Sequence, residues 1–150
     1  SYTGIDQSAE VIEYCKSTLP QSYDLRTQDF LTDGLPEGYF DTIVASHVLE
    51  HIPHYKDLIP ALISKKPKKL ILITFAVLPE LSEDIIQWDP KNENYHNSYA
   101  HGPFREYLEQ EAGHPIQVTD YGELVKRSRW SLKKQKPKWY SRKVEMAWYV

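Results

Sequence analysis

Two features of this sequence place reactive side chains where they could do chemistry. Asp6 follows a short extended segment and precedes a helix for which Ser8 is a suitable N-cap. A carboxylate there can accept two hydrogen bonds from a vicinal diol such as a ribose, or it can simply favour the N-terminus of the helix. His47 and His51 are spaced i, i+4, and histidine titrates in the range useful for moving protons. The two rings could also face one metal ion, but no third ligand has a compelling position, so we expect no metal site.

Alternating strands and helices must position these side chains. Apolar and β-branched runs predict strands at 2–5, 23–27, 40–44, 69–75, 116–121 and 144–149. Helical spacing and capping signals predict helices from Ser8 to Pro20, from Val48 with an interruption at Pro53, across 79–88, and from Phe104 to Gly113. The segment 89–102, which contains His96 and His101, is expected to be a polar loop. The run 40–44 suits a strand buried on both faces.

This order of elements predicts an α/β fold with a doubly wound, mostly parallel sheet. The spacers between the apolar strands are long enough for crossover helices. The last two strands are best interpreted as an antiparallel hairpin at the sheet edge. With 150 residues, the chain is expected to form a single domain, 1–150.

Composition excludes several classes of protein. The chain has one cysteine, Cys15, which rules out an intrachain disulfide framework and a multi-cysteine metal site. No apolar run approaches the roughly 20 residues that span a membrane. The N-terminus lacks a basic region followed by an apolar one, so no signal peptide is expected. We therefore expect a cytoplasmic protein without a membrane partner.

The segment 126–143, KRSRWSLKKQKPKWYSRK, is a basic block with interleaved aromatic residues. It carries nine Lys and Arg and no Asp or Glu, so the rest of the chain has a net charge of −12 although the whole carries −3. We interpret this basic block as an insertion within the C-terminal hairpin. It could bind nucleic acid or an acidic partner, or it could be a solvated loop that offsets an acidic domain.

Three stretches together resemble one family, the class I S-adenosylmethionine-dependent methyltransferases. They are YTGIDQSAEVIEYC at 2–15, the pair Asp29-Phe30, and LPEGYFDTIVASHVLEHIP at 35–53. The resemblance implies a Rossmann-like fold and S-adenosylmethionine as cofactor. It assigns Asp6 to the cofactor ribose with Gln7 beside it, and Asp29 and Phe30 to the adenine. Ala45, Ser46 and His47 would form the loop under the sulfonium and its methyl group.

The resemblance covers about half of the chain, from residue 2 to about residue 75, and implies methyl transfer to an unidentified small molecule or macromolecule. Such a reaction needs in-line placement and, for some acceptors, removal of a proton. His47 and His51 are the candidates for that proton, together with His96 and His101. His51 could instead pack or hydrogen-bond within its helix.

The sequence departs from the family at its start. The family's first strand and its glycine-rich turn, which holds the methionine part of the cofactor, are not found, and the six glycines do not cluster. We expect an N-terminally truncated methyltransferase, possessing half of the cofactor site and inactive as this chain alone. The alternatives are a sheet that has closed over the gap and a homodimer in which a second chain completes the sheet.

Two other functions stay open. The first is a non-catalytic interaction domain that uses the basic block to bind nucleic acid or an acidic protein. The second is a different Rossmann-like nucleotide enzyme with Asp6 on the ribose of a dinucleotide, although the absent glycine fingerprint counts against it equally.

Overall fold

The fold is described from a computed structural model for residues 1–120 and 146–150. The basic block at 126–143 lies outside these residues, and its predicted role stays a prediction. The chain divides into two compact units, Ser1–Glu37 and Gly38–Val150. No helix within the described residues is long and apolar enough to cross a membrane.

The first unit is built on two parallel strands. In chain order it contains β1 (Thr3–Asp6), α1 (Ala9–Thr18), β2 (Asp24–Thr27) and α2 (Phe30–Asp33). Strands β1 and β2 pair in parallel, with Asp6 opposite Thr27 at their carboxyl ends. The predicted cap is confirmed, because Ser8 Oγ accepts a hydrogen bond from the Val11 N–H at 3.3 Å. Both predicted strands and the helix between them are therefore present.

The second unit contains the remaining elements. In chain order these are β3 (Thr42–Ser46), a 3₁₀ turn (Leu49–His51), α3 (Tyr55–Ser64), β4 (Lys69–Thr74), β5 (Val77–Leu78), β6 (Trp88–Asp89), β7 (Asn94–Tyr95), β8 (Tyr99–Ala100), α4 (His101–Ala112), β9 (Gln117–Asp120) and β10 (Met146–Tyr149). Four of the strands form one sheet in the order β3–β4–β10–β9. Strand β3 runs parallel to β4, while β10 runs antiparallel to both β4 and β9. The predicted antiparallel pairing of the last two strands is confirmed, with β9 at the edge of this sheet among the described residues.

Strand β3 differs from its prediction in position and in burial. It begins two residues later than predicted and ends at Ser46. Val44 is 54% exposed, so the strand is not buried on both faces. The reason is its place in the sheet, because within the described residues β3 pairs with β4 alone and is an edge strand. Likewise, β1 pairs with β2 alone in that part of the chain, and the predicted absence of a first strand stays a prediction.

The predictions for 79–102 were wrong in two respects. No helix forms across 79–88, and the expected loop at 89–102 contains strands β7 and β8 and the end of β6. Hydrogen bonds between the two segments replace local helical bonds. The backbones of Ile85 and Ser98 bond to each other at 2.7 and 2.9 Å, and Asp84 Oδ1 accepts from the Ala100 N–H at 2.9 Å. Tertiary partners thus decide the structure of a segment whose local pattern is weak.

The core of the second unit joins α3 and α4 through aromatic rings. Tyr55, Tyr99 and Phe104 are buried, and Tyr55 meets both other rings edge-on at centroid distances of 4.8 Å. The apolar side chains Leu58, Ile59 and Leu62 of α3 are also buried. Helix α4 ends as predicted, with Gly113 in the left-handed conformation at φ 73°.

Candidate functional site

Asp6 lies at the carboxyl end of β1 and has already used one of its two side-chain oxygens. Its Oδ1 accepts a hydrogen bond from the Ser8 N–H at 2.7 Å, which fixes the carboxylate against the start of α1. Oδ2 has no hydrogen-bond partner among the described residues. Both interpretations of Asp6 therefore have support. One oxygen orders the turn into α1, and the other can still accept a hydrogen bond from a ligand.

The other predicted residues of the first unit lie at the same carboxyl edge. Asp29 follows β2 and caps α2, with Oδ1 accepting from the Leu31 N–H at 2.9 Å. Phe30 is half-buried, and Gln7 is exposed directly after Asp6. Parallel strands place their carboxyl ends at one edge, which is where ligands bind in open α/β sheets.

At the end of β3 the chain turns sharply. Ala45 is buried and Ser46 is exposed, and the next residue, His47, has φ 54°. A residue other than glycine rarely adopts this left-handed conformation, and such strain clusters at functional sites. The His47 N–H still donates to the Ile73 carbonyl at 2.8 Å, so the turn stays attached to β4.

The structure adds two residues to those that the sequence predicted, Glu50 and Thr74. Glu50 Oε1 lies 3.1 Å from His47 Nδ1, and Thr74 Oγ1 lies 3.0 Å from the other oxygen, Oε2. Both Glu50 and Thr74 are buried. The signal in the sequence was the i, i+3 spacing of His47 and Glu50, but a charged residue at a predicted helix start gives no indication of burial.

His51 has a different environment from His47. Its Nδ1 lies 2.9 Å from the Tyr95 carbonyl oxygen, which ties the 3₁₀ turn to β7. His96 directly follows Tyr95, and its ring meets the His51 ring edge-on at a centroid distance of 5.7 Å. His96 also pairs with Asp89 at 3.4 Å, and the pKa of Asp89 is lowered because the Asn92 amide and the Lys91 N–H donate to its carboxylate. His51 thus makes a hydrogen bond that holds the fold together. Its partner is in a strand 44 residues away in sequence, not in the helix that was expected to contain His51.

His47 and His51 therefore have separate hydrogen-bond partners. His101, the remaining histidine of the predicted set, is the first residue of α4. No group of three His, Cys, Asp or Glu residues suited to a metal ion occurs among the residues described.

Comparison with known proteins bears on both units. A family model described as "Methyltransferase domain" matches residues 1–63, which include all of the predicted cofactor residues. Residues 1–63 are therefore similar to this family, and they make up less than half of the 150-residue chain. A comparison with curated proteins found no match.

Solved structures share the methyltransferase fold over nearly the whole chain. One is an S-adenosylmethionine-dependent methyltransferase from Mesorhizobium loti, with 12% identity and a TM-score of 0.63, covering 99% of this chain and 79% of that chain. Another, from Methanosarcina mazei, has 13% identity and a TM-score of 0.57, covering 98% and 79%. A complex described as DhpI-SAM-HEP has 15% identity and a TM-score of 0.56, covering 99% and 67%. The chain therefore has an α/β, Rossmann-like fold.

Proposed function

We propose that this protein takes part in methyl transfer from S-adenosylmethionine to an acceptor. The observation that carries the proposal is the family match over residues 1–63, since it includes Asp6, Asp29, Phe30 and the turn at His47. The likeness to solved methyltransferases supports it at the level of the fold. The acceptor, the cytoplasmic setting and the homodimer stay predictions.

The residues of the first unit suit the adenosine part of this cofactor. Asp6 Oδ2 can accept a hydrogen bond from a ribose hydroxyl while Oδ1 keeps its bond to Ser8. Phe30 offers a half-buried ring of the kind that packs on an adenine edge, beside Asp29. Gln7 is exposed and available for a further polar contact.

The residues after β3 suit the reacting end. S-adenosylmethionine, when bound, supplies a methyl group on a positively charged sulfur that is a good leaving group. Ala45 and Ser46 would line this region, with the small Ala45 side chain leaving room for a ligand. His47 would accept the acceptor's proton at Nε2. His51 is the weaker candidate for this role, because its Nδ1 faces the uncharged Tyr95 carbonyl, whereas Nδ1 of His47 faces the side chain of Glu50.

Calorimetric titration with S-adenosylmethionine and S-adenosylhomocysteine tests the proposal. Submicromolar binding that falls about 100-fold in Asp6→Ala would support a working site, because hydrogen bonds to a charged group contribute about 1.5–3 kcal/mol each. Asp6→Asn keeps an oxygen for the Ser8 N–H and separates loss of the charge from disorder at the start of α1.

Asp24→Ala is the matched control. Asp24 is also an aspartate of the β1–β2 pair, but it lies opposite Thr3, at the other end of the two strands. Its substitution should leave the affinity unchanged. If wild-type protein shows no heat of binding at millimolar ligand, this chain is not itself a methyltransferase.

A second proposal is a non-catalytic interaction domain. The basic block at 126–143 favours it, with nine positive charges interleaved with aromatic residues. A polyanion such as nucleic acid, or an acidic protein, has the complementary charge.

A further inference from the structure

Glu50 is a buried carboxylate in the turn that follows His47. Its exposed fraction is 2%, and it stands between Leu49 and His51 in the 3₁₀ turn. Removing a carboxylate from water is costly unless its oxygens receive hydrogen bonds. A glutamate that is this well buried therefore needs specific partners.

The partners form a chain of hydrogen bonds that begins at the end of β4. The Ala76 N–H donates to Thr74 Oγ1 at 3.0 Å, and the Thr74 hydroxyl donates to Glu50 Oε2 at 3.0 Å. Glu50 Oε1 lies 3.1 Å from His47 Nδ1. Thr74 is fully buried, so one end of this chain is fixed in the sheet core.

The direction of the last hydrogen bond decides where His47 carries its proton. An ionised carboxylate can only accept hydrogen bonds. His47 Nδ1 must then be the donor, and in the neutral ring Nε2 is left with its lone pair. The His47 side chain is 33% exposed, so the ring is partly open to solvent although its partner is not.

We propose that Glu50 is a positioning residue that holds His47 with its proton on Nδ1 and its lone pair on Nε2. The use of that lone pair to accept a proton rests on the proposed methyltransferase function, but the position of the proton does not. From β4 and the residue after it, the groups that face this pair are the Thr74 hydroxyl and the Phe75 ring, which lies 5.3 Å from the His47 ring. Both of these groups are uncharged.

The test is nitrogen-detected NMR of the histidine side chains in the full chain, labelled with ¹⁵N. Comparison with His47→Gln assigns the His47 signals among the six histidines. At a pH where the ring is neutral, we expect the wild-type proton on Nδ1. In Glu50→Leu, which fills the buried space without an acceptor, the proton should move to Nε2, the tautomer that free imidazole favours in water.

Glu50→Gln is the second variant, because it keeps the shape and removes only the charge. Loss of a neighbouring negative charge should lower the titration midpoint of His47 by about one pH unit, a tenfold change in protonation. Glu13→Gln is the control, since Glu13 makes an exposed ion pair with Lys16 in α1. It should leave the His47 signals unchanged.

The assignment is overturned if wild-type His47 carries its proton on Nε2, or if both Glu50 variants keep the wild-type tautomer and midpoint. Binding of S-adenosylhomocysteine is measured on the same samples. Absence of binding together with the expected tautomers would contradict the proposed function and support the role of Glu50. The two failures are distinguishable because the NMR measurement needs no cofactor or acceptor.

Discussion

At the scale of single residues, burial decides how polar side chains behave. Tyr99 is fully buried, and its hydroxyl donates to the Leu49 carbonyl at 2.7 Å and accepts from Asn97 Nδ2 at 2.9 Å. Burial raises the pKa of Tyr99 to about 12. An unfolded tyrosine ionises near pH 10. Tyr99 thus stabilises the folded state fully below pH 10, and this contribution is lost as the pH rises from 10 towards 12.

Tyr99→Phe should be less stable than wild type by about 1–2 kcal/mol at pH 8, because two buried hydrogen bonds are lost. Between pH 9 and pH 11, wild type should lose about 1 kcal/mol more than the variant, since phenylalanine does not titrate. Urea unfolding at both pH values measures this difference. Tyr14→Phe is the control, because Tyr14 is 68% exposed. Parallel pH profiles for wild type and Tyr99→Phe would contradict the argument.

The sequence predicted single residues well where local chemistry decides their role. Ser8 could be recognised as a cap because capping requires a small polar residue before a helix, and Asp6 because it follows a strand. Glu50 could not be recognised, since its burial and its bond to Thr74 depend on a residue 24 positions away. Asp29 and Phe30 became candidates only through the family resemblance, as each alone fits an ordinary turn.

At the scale of elements, long periodic segments were predictable and short ones were not. Strand β4 was recognised from its continuous apolar run, and α4 from its glycine stop. Strands β5 to β8 contain two residues each, too few for any period to show. Their structure depends on pairing with distant segments, such as Val77 with Tyr99, which no local pattern encodes.

Helix α4 offers two glycines that should respond oppositely to the same substitution. Gly113→Ala places a β-carbon at φ 73°, which costs about 1–2 kcal/mol. Gly102→Ala lies within α4 with nothing within 4 Å of the added carbon, and should stabilise by about 0.5–1 kcal/mol. Thermal and urea unfolding measure both changes. Equal effects at the two positions would contradict the assigned end of the helix.

At the scale of the whole molecule, the two compact units differ greatly in what they bury. Unit Ser1–Glu37, which is described throughout, has Ile12 as its only buried apolar side chain. The apolar core of the described chain otherwise belongs to Gly38–Val150. Segments below about 40 residues rarely fold alone without disulfides or metals. The small core of Ser1–Glu37 therefore favours the predicted single domain, in which this unit folds only together with the rest of the chain. Unfolding experiments can test this prediction.

We expect both units to unfold in one transition, because the first has too little core to be stable by itself. The chain provides a separate probe for each unit. Cys15, the single cysteine, can carry a fluorophore on α1, and all four tryptophans lie in Gly38–Val150. Urea unfolding followed at the label and by tryptophan fluorescence should give the same midpoint and the same slope. Unfolding of an unlabelled sample, followed by tryptophan fluorescence, checks that the label itself does not destabilise α1. A label transition at clearly lower urea would show that Ser1–Glu37 unfolds separately, and the single-domain prediction would then be wrong.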